Sequence, residues 1–271
     1  MVIWNWWQPA GMRRLLLVCL LLFGTLPACT VQPVPAQKLA DVKTIAVISA
    51  LGDEITFQHV GFTVFTNDRQ TSHVDWKLDD FATQEIAAML AGRFEVRTVN
   101  YDRAKFREHS DQGLWEEWAS SNALLKQTAK SGEVDAYCIV RTRNWPDAIA
   151  RSNQEISGIG LYSRGGLFAS GLIVASYASY QIEIIDGRTF ATIAAVPGTL
   201  PRPAPVGIPF SSLGPSIDTL PFKDSTVPWA ARLEAMPHEQ QEQLHQTLLK
   251  LLDDSLRYTL TKMALTAVPA K

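Results

Sequence analysis

Tyr180-Gln-Ile-Glu-Ile-Ile-Asp-Gly-Arg-Thr-Phe-Ala-Thr-Ile-Ala-Ala-Val196 is the stretch that decides the fold. Tyr180, Ile182 and Ile184 alternate with Gln181 and Glu183, the period of two that a strand shows when one face is apolar. Asp186-Gly187 is turn chemistry between two such runs, so Thr189–Val196 reads as the returning strand of a hairpin. Upstream the strand extends back to Leu172. The glycine- and serine-rich residues Ile156–Gly171 form another limb, so the middle of the chain is a long β-hairpin region.

Working outward, Asp135–Thr142 contains the unbroken apolar run Ala136-Tyr-Cys-Ile-Val140 and is read as a buried strand. Lys43-Thr-Ile-Ala-Val-Ile-Ser49 is read as a central strand, rich in β-branched residues. Phe57–Phe65 suggests another strand closed by Asn67-Asp68, and Phe94–Val99 one half exposed to solvent. A helix opens at Asp79-Asp80, buries Leu78, Ala82, Ile86, Met89 and Leu90, and stops at Gly92. Leu114–Ser131 is the next helix, with Leu114, Trp118, Leu125 and Thr128 in register and Gly132 as its stop. Eight prolines between Pro197 and Pro228 forbid regular structure over much of that stretch. Pro237 opens the last helix, which runs to about Leu265 on Leu244, Leu248, Leu251, Leu252, Ser255 and Tyr258. The order predicts the α/β class: a single mixed sheet flanked by helices, with a long β-hairpin region and a carboxy-terminal helix. One domain is expected over 41–267, with a Pro-rich loop at 197–228.

The amino-terminal residues point to export. Met12-Arg-Arg, the apolar run Leu15–Leu22 and Leu26-Pro-Ala-Cys29 read as a secretory signal too short to span a bilayer as a mature helix. The signal covers 1–28, and Met12 is the simpler start, which would leave 1–11 untranslated. Cys29 after Ala28 resembles the lipobox of bacterial lipoproteins, in which the cysteine is acylated and becomes the mature amino terminus. Pro27 departs from the usual small or β-branched residue, and Ala28 could equally precede an ordinary signal-peptidase cut. Residues 29–40, with Val31-Gln-Pro-Val-Pro-Ala-Gln37, are a short tether. Thr30 rather than aspartate after the cysteine implies the outer membrane. Cys19 leaves with the leader, so the mature chain keeps Cys29 and Cys138, a poor disulfide framework.

The mature chain of about 240 residues has 23 basic and 27 acidic side chains, since Arg13 and Arg14 leave with the signal. This mild acidity offers no broad footprint for nucleic acid. Arg93–Arg97 and Arg141–Arg143 alternate at strand spacing and read as solvated faces. No second apolar segment has the length of a membrane helix.

Three places together resemble the periplasmic domains grouped with the curli-secretion lipoprotein CsgG and the amino-terminal domain of TolB. Lys43-Thr-Ile-Ala-Val-Ile48 is similar to their first strand after the lipidated tether. Val134-Asp-Ala-Tyr-Cys-Ile-Val-Arg141 is similar to their "A-D-y-v-v-x-G" strand, with Arg141 near the usual glycine. Tyr180–Thr189 is similar to their hairpin "v-x-l-v-D-x-x-T-G", with Asp186 and Thr189 in place and Phe190 instead of glycine. About 43–196 is covered. The resemblance implies a non-enzymatic assembly, scaffolding or activator module of the cell envelope.

Motifs for chemistry are thin. Gly158-x-Gly160 and Gly165-Gly166 precede a strand rather than a helix, which is the wrong context for a phosphate cradle. His238 and His245 are two helical turns apart, and His59, His73 and His109 carry no ligand spacing, so no metal is expected. Gly-x-Ser-x-Gly is absent. The acid pairs Glu116-Glu117, Asp79-Asp80 and Asp253-Asp254 read as caps or solvated faces. No catalytic residue, cofactor or small-molecule substrate is expected. Trp115 and Trp118 read as core, whereas Trp229 in the Pro-rich loop and Trp145 are candidate partner anchors. Leu167, Phe168, Leu172, Ile173 and Val174 are candidates for a hairpin touching membrane.

The expected function is that of a non-enzymatic envelope lipoprotein on the periplasmic face of a bacterial outer membrane, binding other envelope proteins or copies of itself. The alternatives are an oligomeric outer-membrane channel component using Ile156–Tyr177, and an exported hydrolase with its site assembled from distant residues.

Overall fold

In the computed structural model a single helical turn at Ala36–Leu39 precedes β1 (Thr44–Ala50), β2 (Glu54–Val60) and β3 (Asp68–His73), which are followed by helix α1 (Leu78–Leu90). After β4 (Glu95–Arg97) and α2 (Arg103–Glu108) the chain forms β5 (Ala136–Thr142), β6 (Asn144–Pro146), β7 (Glu155–Gly165) and β8 (Leu172–Asp186). The strands β9 (Thr192–Pro197), β10 (Leu200–Arg202), β11 (Ile217–Thr219) and β12 (Phe222–Asp224) lead into the last helix, α3 (His238–Lys262). The structure describes residues 33–61, 63–108, 122–127, 129–130, 132–165, 172–202 and 217–267. All of them belong to the unit Val31–Lys271, which is distinct from the unit Met1–Thr30. The leader, Cys29, Trp115, Trp118, His109, Leu167 and Phe168 lie outside the described residues, as does the centre of the Pro-rich loop.

The fold is mixed α/β. Ten strands form one sheet in the order β3-β2-β7-β8-β5-β1-β4, with β6 added on β7 and β9 and β12 on β8. The pairs β1/β4, β1/β5 and β2/β7 are parallel, while β8 is antiparallel to β5, β7, β9 and β12. β8 is the spine: Leu172–Ser179 pair with β7 and Tyr180–Asp186 pair with β5.

Alternation builds a core on each face. Ile45, Val47, Cys138, Val140, Ile182 and Ile184 point to α1 and α3, where Leu78, Ile86, Leu244, Leu248, Leu252 and Leu256 are buried against them. Ala46, Ile48, Tyr137, Ile139 and Ile185 point the other way, onto Phe106 of α2 and onto Leu124 and Leu125. Burial on both faces explains why β1 and β5 read as continuous apolar runs. A third cluster gathers Val60, Ile156, Tyr162, Tyr177 and Leu220. At Gly160 a Cβ would run into the Thr56 backbone, so the β2–β7 contact admits only glycine there.

Several expectations need correction. The hairpin after β8 is not closed by two residues: Phe190 N–H bonds the Asp186 carbonyl, Asp186 N–H bonds that of Ala191, and β9 starts only at Thr192. Asp186 Oδ1 instead organises the loop, accepting from the Arg188 and Thr189 amides and the Thr189 hydroxyl. Phe190 takes the left-handed conformation (φ 55°) and is buried near Tyr137, with ring centroids 6.4 Å apart. That conformation costs a non-glycine residue about 1–2 kcal/mol, which burial of a phenyl ring offsets. The strand expected over Phe57–Phe65 ends at Val60, a 3-10 turn follows at Val64–Thr66, and the polar edge strand β3 was not expected. Short strands occupy both ends of the Pro-rich loop, where β10 pairs with β11 and β12 with β8. Pro237 caps α3 from just outside it.

Polar residues were expected on solvated faces at two places where the fold buries them. Arg141 and Glu183 are only 1% and 4% exposed and pair at 2.7 Å, with Gln181 Nε2 donating to the same Glu183 oxygen at 2.6 Å. Asp79 is fully buried beside the exposed Asp80, which bonds Arg103.

Candidate functional site

Three places in the described structure gather polar or exposed apolar side chains: a polar recess, a contact between His59 and Ser163, and one end of the sheet. The recess, about 390 Å³, lies past the carboxyl ends of β1 and β5, at Leu51-Gly52 and Thr142. Strand ends of this kind are where open α/β sheets hold ligands. Its charged lining residues are Glu54, Arg69 and Arg107, with hydroxyls from Thr56 and Ser157. Behind its Gly52 wall, Asp79 Oδ1 accepts from the Ser49 hydroxyl (2.6 Å) and from the Leu51 and Gly52 amides (2.8 and 3.4 Å). Burial, the largest influence, raises its pKa above the ordinary 3.8 despite these bonds. Asp79 thus ties α1 to the loop after β1, and the recess itself shows no nucleophile paired with a base.

One serine does meet a histidine. His59 Nδ1 and Ser163 Oγ are 2.7 Å apart across the β2–β7 ladder. Nothing in the sequence joins residues 104 positions apart. Ser163 is fully buried, and Trp229 packs against His59 with ring centroids 5.8 Å apart, so a substrate carbonyl has no approach to the hydroxyl. The contact ties two strands together.

Other conspicuous groups serve the fold. Asp135 Oδ2 accepts from the Lys43 and Thr44 amides and the Thr44 hydroxyl at 2.9–3.0 Å, and Oδ1 from Arg188. These donors hold its carboxyl down at about 2. Asp147 accepts from the Ile149 and Ala150 amides, the Ser152 hydroxyl and Tyr162 Oη. Cys138 is fully buried and its thiol is pushed up to about 12 by burial. His245 stacks on Trp76 with ring centroids 4.5 Å apart, while His238 is exposed. Among the described residues no three of His, Cys, Asp and Glu come together. Gly158 and Gly160 lie within β7.

The tryptophans differ from their expected exposure in degree. Trp229, read as an exposed anchor, is half-buried edge-on to Phe57. Trp145 on β6 is also half-buried, packed on the third cluster beneath the Arg143 guanidinium, which lies 5.3 Å from its ring centre.

The clearest exposed apolar side chains lie at one end. Phe65 is 94% exposed, Leu172 51% and Ile173 44%. The registers Val60↔Arg164 and Arg164↔Ile173 bring the end of β2, the end of β7 and the start of β8 together. At the opposite end of β8 the chain enters the fold: Val34 N–H bonds Met263 O, and Lys38 bonds Ile193 O. No described helix is long and apolar enough to cross a membrane, which says nothing of strands.

No family model matches the chain, and no curated protein matches it. Among solved structures it is similar to a DUF330 protein from Xanthomonas campestris, 9% identical over 87% of this chain and 93% of that one. The TM-score is 0.35, too low to bear on fold or function.

Proposed function

We propose that this chain is a non-enzymatic lipoprotein of a bacterial envelope, held by Cys29 at the periplasmic face of the outer membrane and binding other envelope proteins. The leader and Cys29 support the location, and the resemblance to CsgG-like and TolB amino-terminal domains supports the role. The observation that carries protein binding is the half-exposed pair of Trp145 on β6 and Arg143 just before it, flanked by the partly buried Ala148, Ile149 and Ala150. An arginine over a tryptophan beside an aliphatic rim is the composition of interface hot spots.

A photo-crosslinking residue at Asn144, the exposed neighbour of Trp145, tests this in intact cells. The expected result is one discrete adduct, weakened at least tenfold by Trp145→Ala and absent when the crosslinker replaces exposed Lys250 on α3. Adducts equally strong from both positions, or none from either, would refute the reading.

A further inference from the structure

We propose that Phe65, Leu172 and Ile173 form a second membrane contact that dips into the bilayer surface; this rests on the lipoprotein reading for the anchor but not for the contact itself. All three are more than 40% exposed, and they are the large apolar residues so exposed among the described residues. They come from separate elements, the 3-10 turn after β2 and the first two residues of β8, yet the strand registers set those elements at one end of the sheet. Their sharing one end of the sheet makes this the candidate apolar contact surface of the described structure.

The chemistry of this end favours lipid as the occupant. Among the described residues here, 60, 61 and 63–66 around the end of β2, and 165 and 172–175 at the end of β7 and the start of β8, carry no charge. Charge is what a bilayer excludes, whereas protein anchors favour Trp, Tyr and Arg. Charged residues of both signs border this end: Arg164 pairs directly with Ile173 and turns its guanidinium to the Ala150 carbonyl, while Asp68, Arg69, Lys223 and Asp224 lie further along their strands. A collar of that kind sits among zwitterionic headgroups without needing anionic lipid.

The position of the contact explains how a small patch suffices. Four residues, and so five residue-to-residue steps, separate Cys29 from Val34, whose amide bonds the Met263 carbonyl just past α3. Fully extended, they reach at most about 18 Å, so an acylated chain keeps its folded part at the bilayer. A weak contact then forms within one tethered molecule rather than between strangers, and modest apolar area is enough. Because the exposed trio and the point where the chain enters lie at opposite ends of β8, both contacts on one bilayer would lay that strand along its surface. The domain's orientation, and with it the direction in which β6 faces, would be set by this pair of attachments.

The test uses the full mature protein, reconstituted into phosphatidylcholine vesicles with or without spin-labelled lipid. Single cysteines replace Phe65, Ile173 or, as a control, exposed Lys250, and carry an environment-sensitive fluorophore; Cys138 is buried and is not labelled. Flotation with the vesicles reads the anchor, and quenching by the spin label reads the contact. The expected result is quenching at positions 65 and 173 at least threefold stronger than at 250, unchanged when anionic lipid is added. Protein that floats with equal quenching at all three positions keeps its anchor and overturns the contact, leaving the patch to a protein partner. Quenching at 65 and 173 in protein whose Cys29 proves unacylated keeps the contact and overturns the anchor. Absence of both flotation and quenching overturns both.

Discussion

Replacing Glu183 by leucine should destabilise the domain by about 3–5 kcal/mol, because it strands the Arg141 guanidinium inside the sheet without its carboxylate. The pair is almost wholly buried, and Glu183 Oε1 collects Arg141 Nη2 at 2.7 Å, Arg141 Nε at 3.2 Å and Gln181 Nε2 at 2.6 Å. Screening by water, which makes surface pairs nearly worthless, does not operate here. The cost of the single change is that of a buried guanidinium deprived of its paired carboxylate, not the net worth of the bridge. Arg141→Met combined with Glu183→Leu should therefore recover most of the loss, short of about 1 kcal/mol for the Gln181 amide left without its acceptor. Urea unfolding followed by circular dichroism measures both. A single variant within about 1 kcal/mol of the parent would show that the charges are solvated or re-paired.

The second large effect is a pH dependence centred on Asp79. Its folded pKa is raised above the ordinary 3.8 by burial, against the opposing bonds from Ser49, Leu51 and Gly52. A carboxyl that holds its proton more tightly when folded loses stability as the pH climbs: between 3.8 and the raised value the native state binds more proton than the unfolded chain. Below that window the penalty is absent, and above it the penalty is complete. Asp79→Asn keeps an acceptor in the Oδ1 position and removes the titration. The stability of the parent relative to this variant should therefore fall as pH rises through the window, by at most about 1.4 kcal/mol per pH unit. Denaturant midpoints for the two proteins from pH 3.5 to pH 7.5, roughly the working range of a folded domain, give that difference. A flat difference, or one growing in the parent's favour, would contradict the burial of Asp79 as an ionising group.

These two sites show where the sequence was readable and where it was not. Strands β1, β5 and β8 and helices α1 and α3 are legible because each buries a face whose period survives in the residue order, as Ile45, Val47 and Leu244, Leu248, Leu252 do. β3 left no such trace. It is an edge strand, Asp68-Arg-Gln-Thr-Ser-His73, with Ser72 as its one buried residue. The alternation of Tyr180-Gln-Ile-Glu-Ile locates a strand correctly but says nothing of what lies over its polar face. Arg141 reads as part of a solvated face until Glu183, forty-two positions downstream, arrives on the neighbouring strand to meet it. Asp79 misleads in the same way. An acid at a helix start looks like a cap, and only the return of β1 beside α1 makes it the acceptor for Ser49 and the following loop.

The candidate functional positions were legible to a smaller degree. Leu172 and Ile173 stood out as apolar residues in a glycine-rich region, and both are exposed. Phe65, the most exposed of the large apolar residues described, was absorbed into an expected strand because alternation appeared to continue past Val60. The His59–Ser163 contact depends on the β2–β7 register, which no local pattern encodes.

The proposed location hangs from Cys29, and intact-mass spectrometry of the protein extracted from membranes tests it most directly. The expected result is an amino terminus at Cys29, its mass increased by the acyl groups of a lipoprotein. A chain with an unmodified Cys29 thiol, or one that still carries residues 12–28, would contradict it.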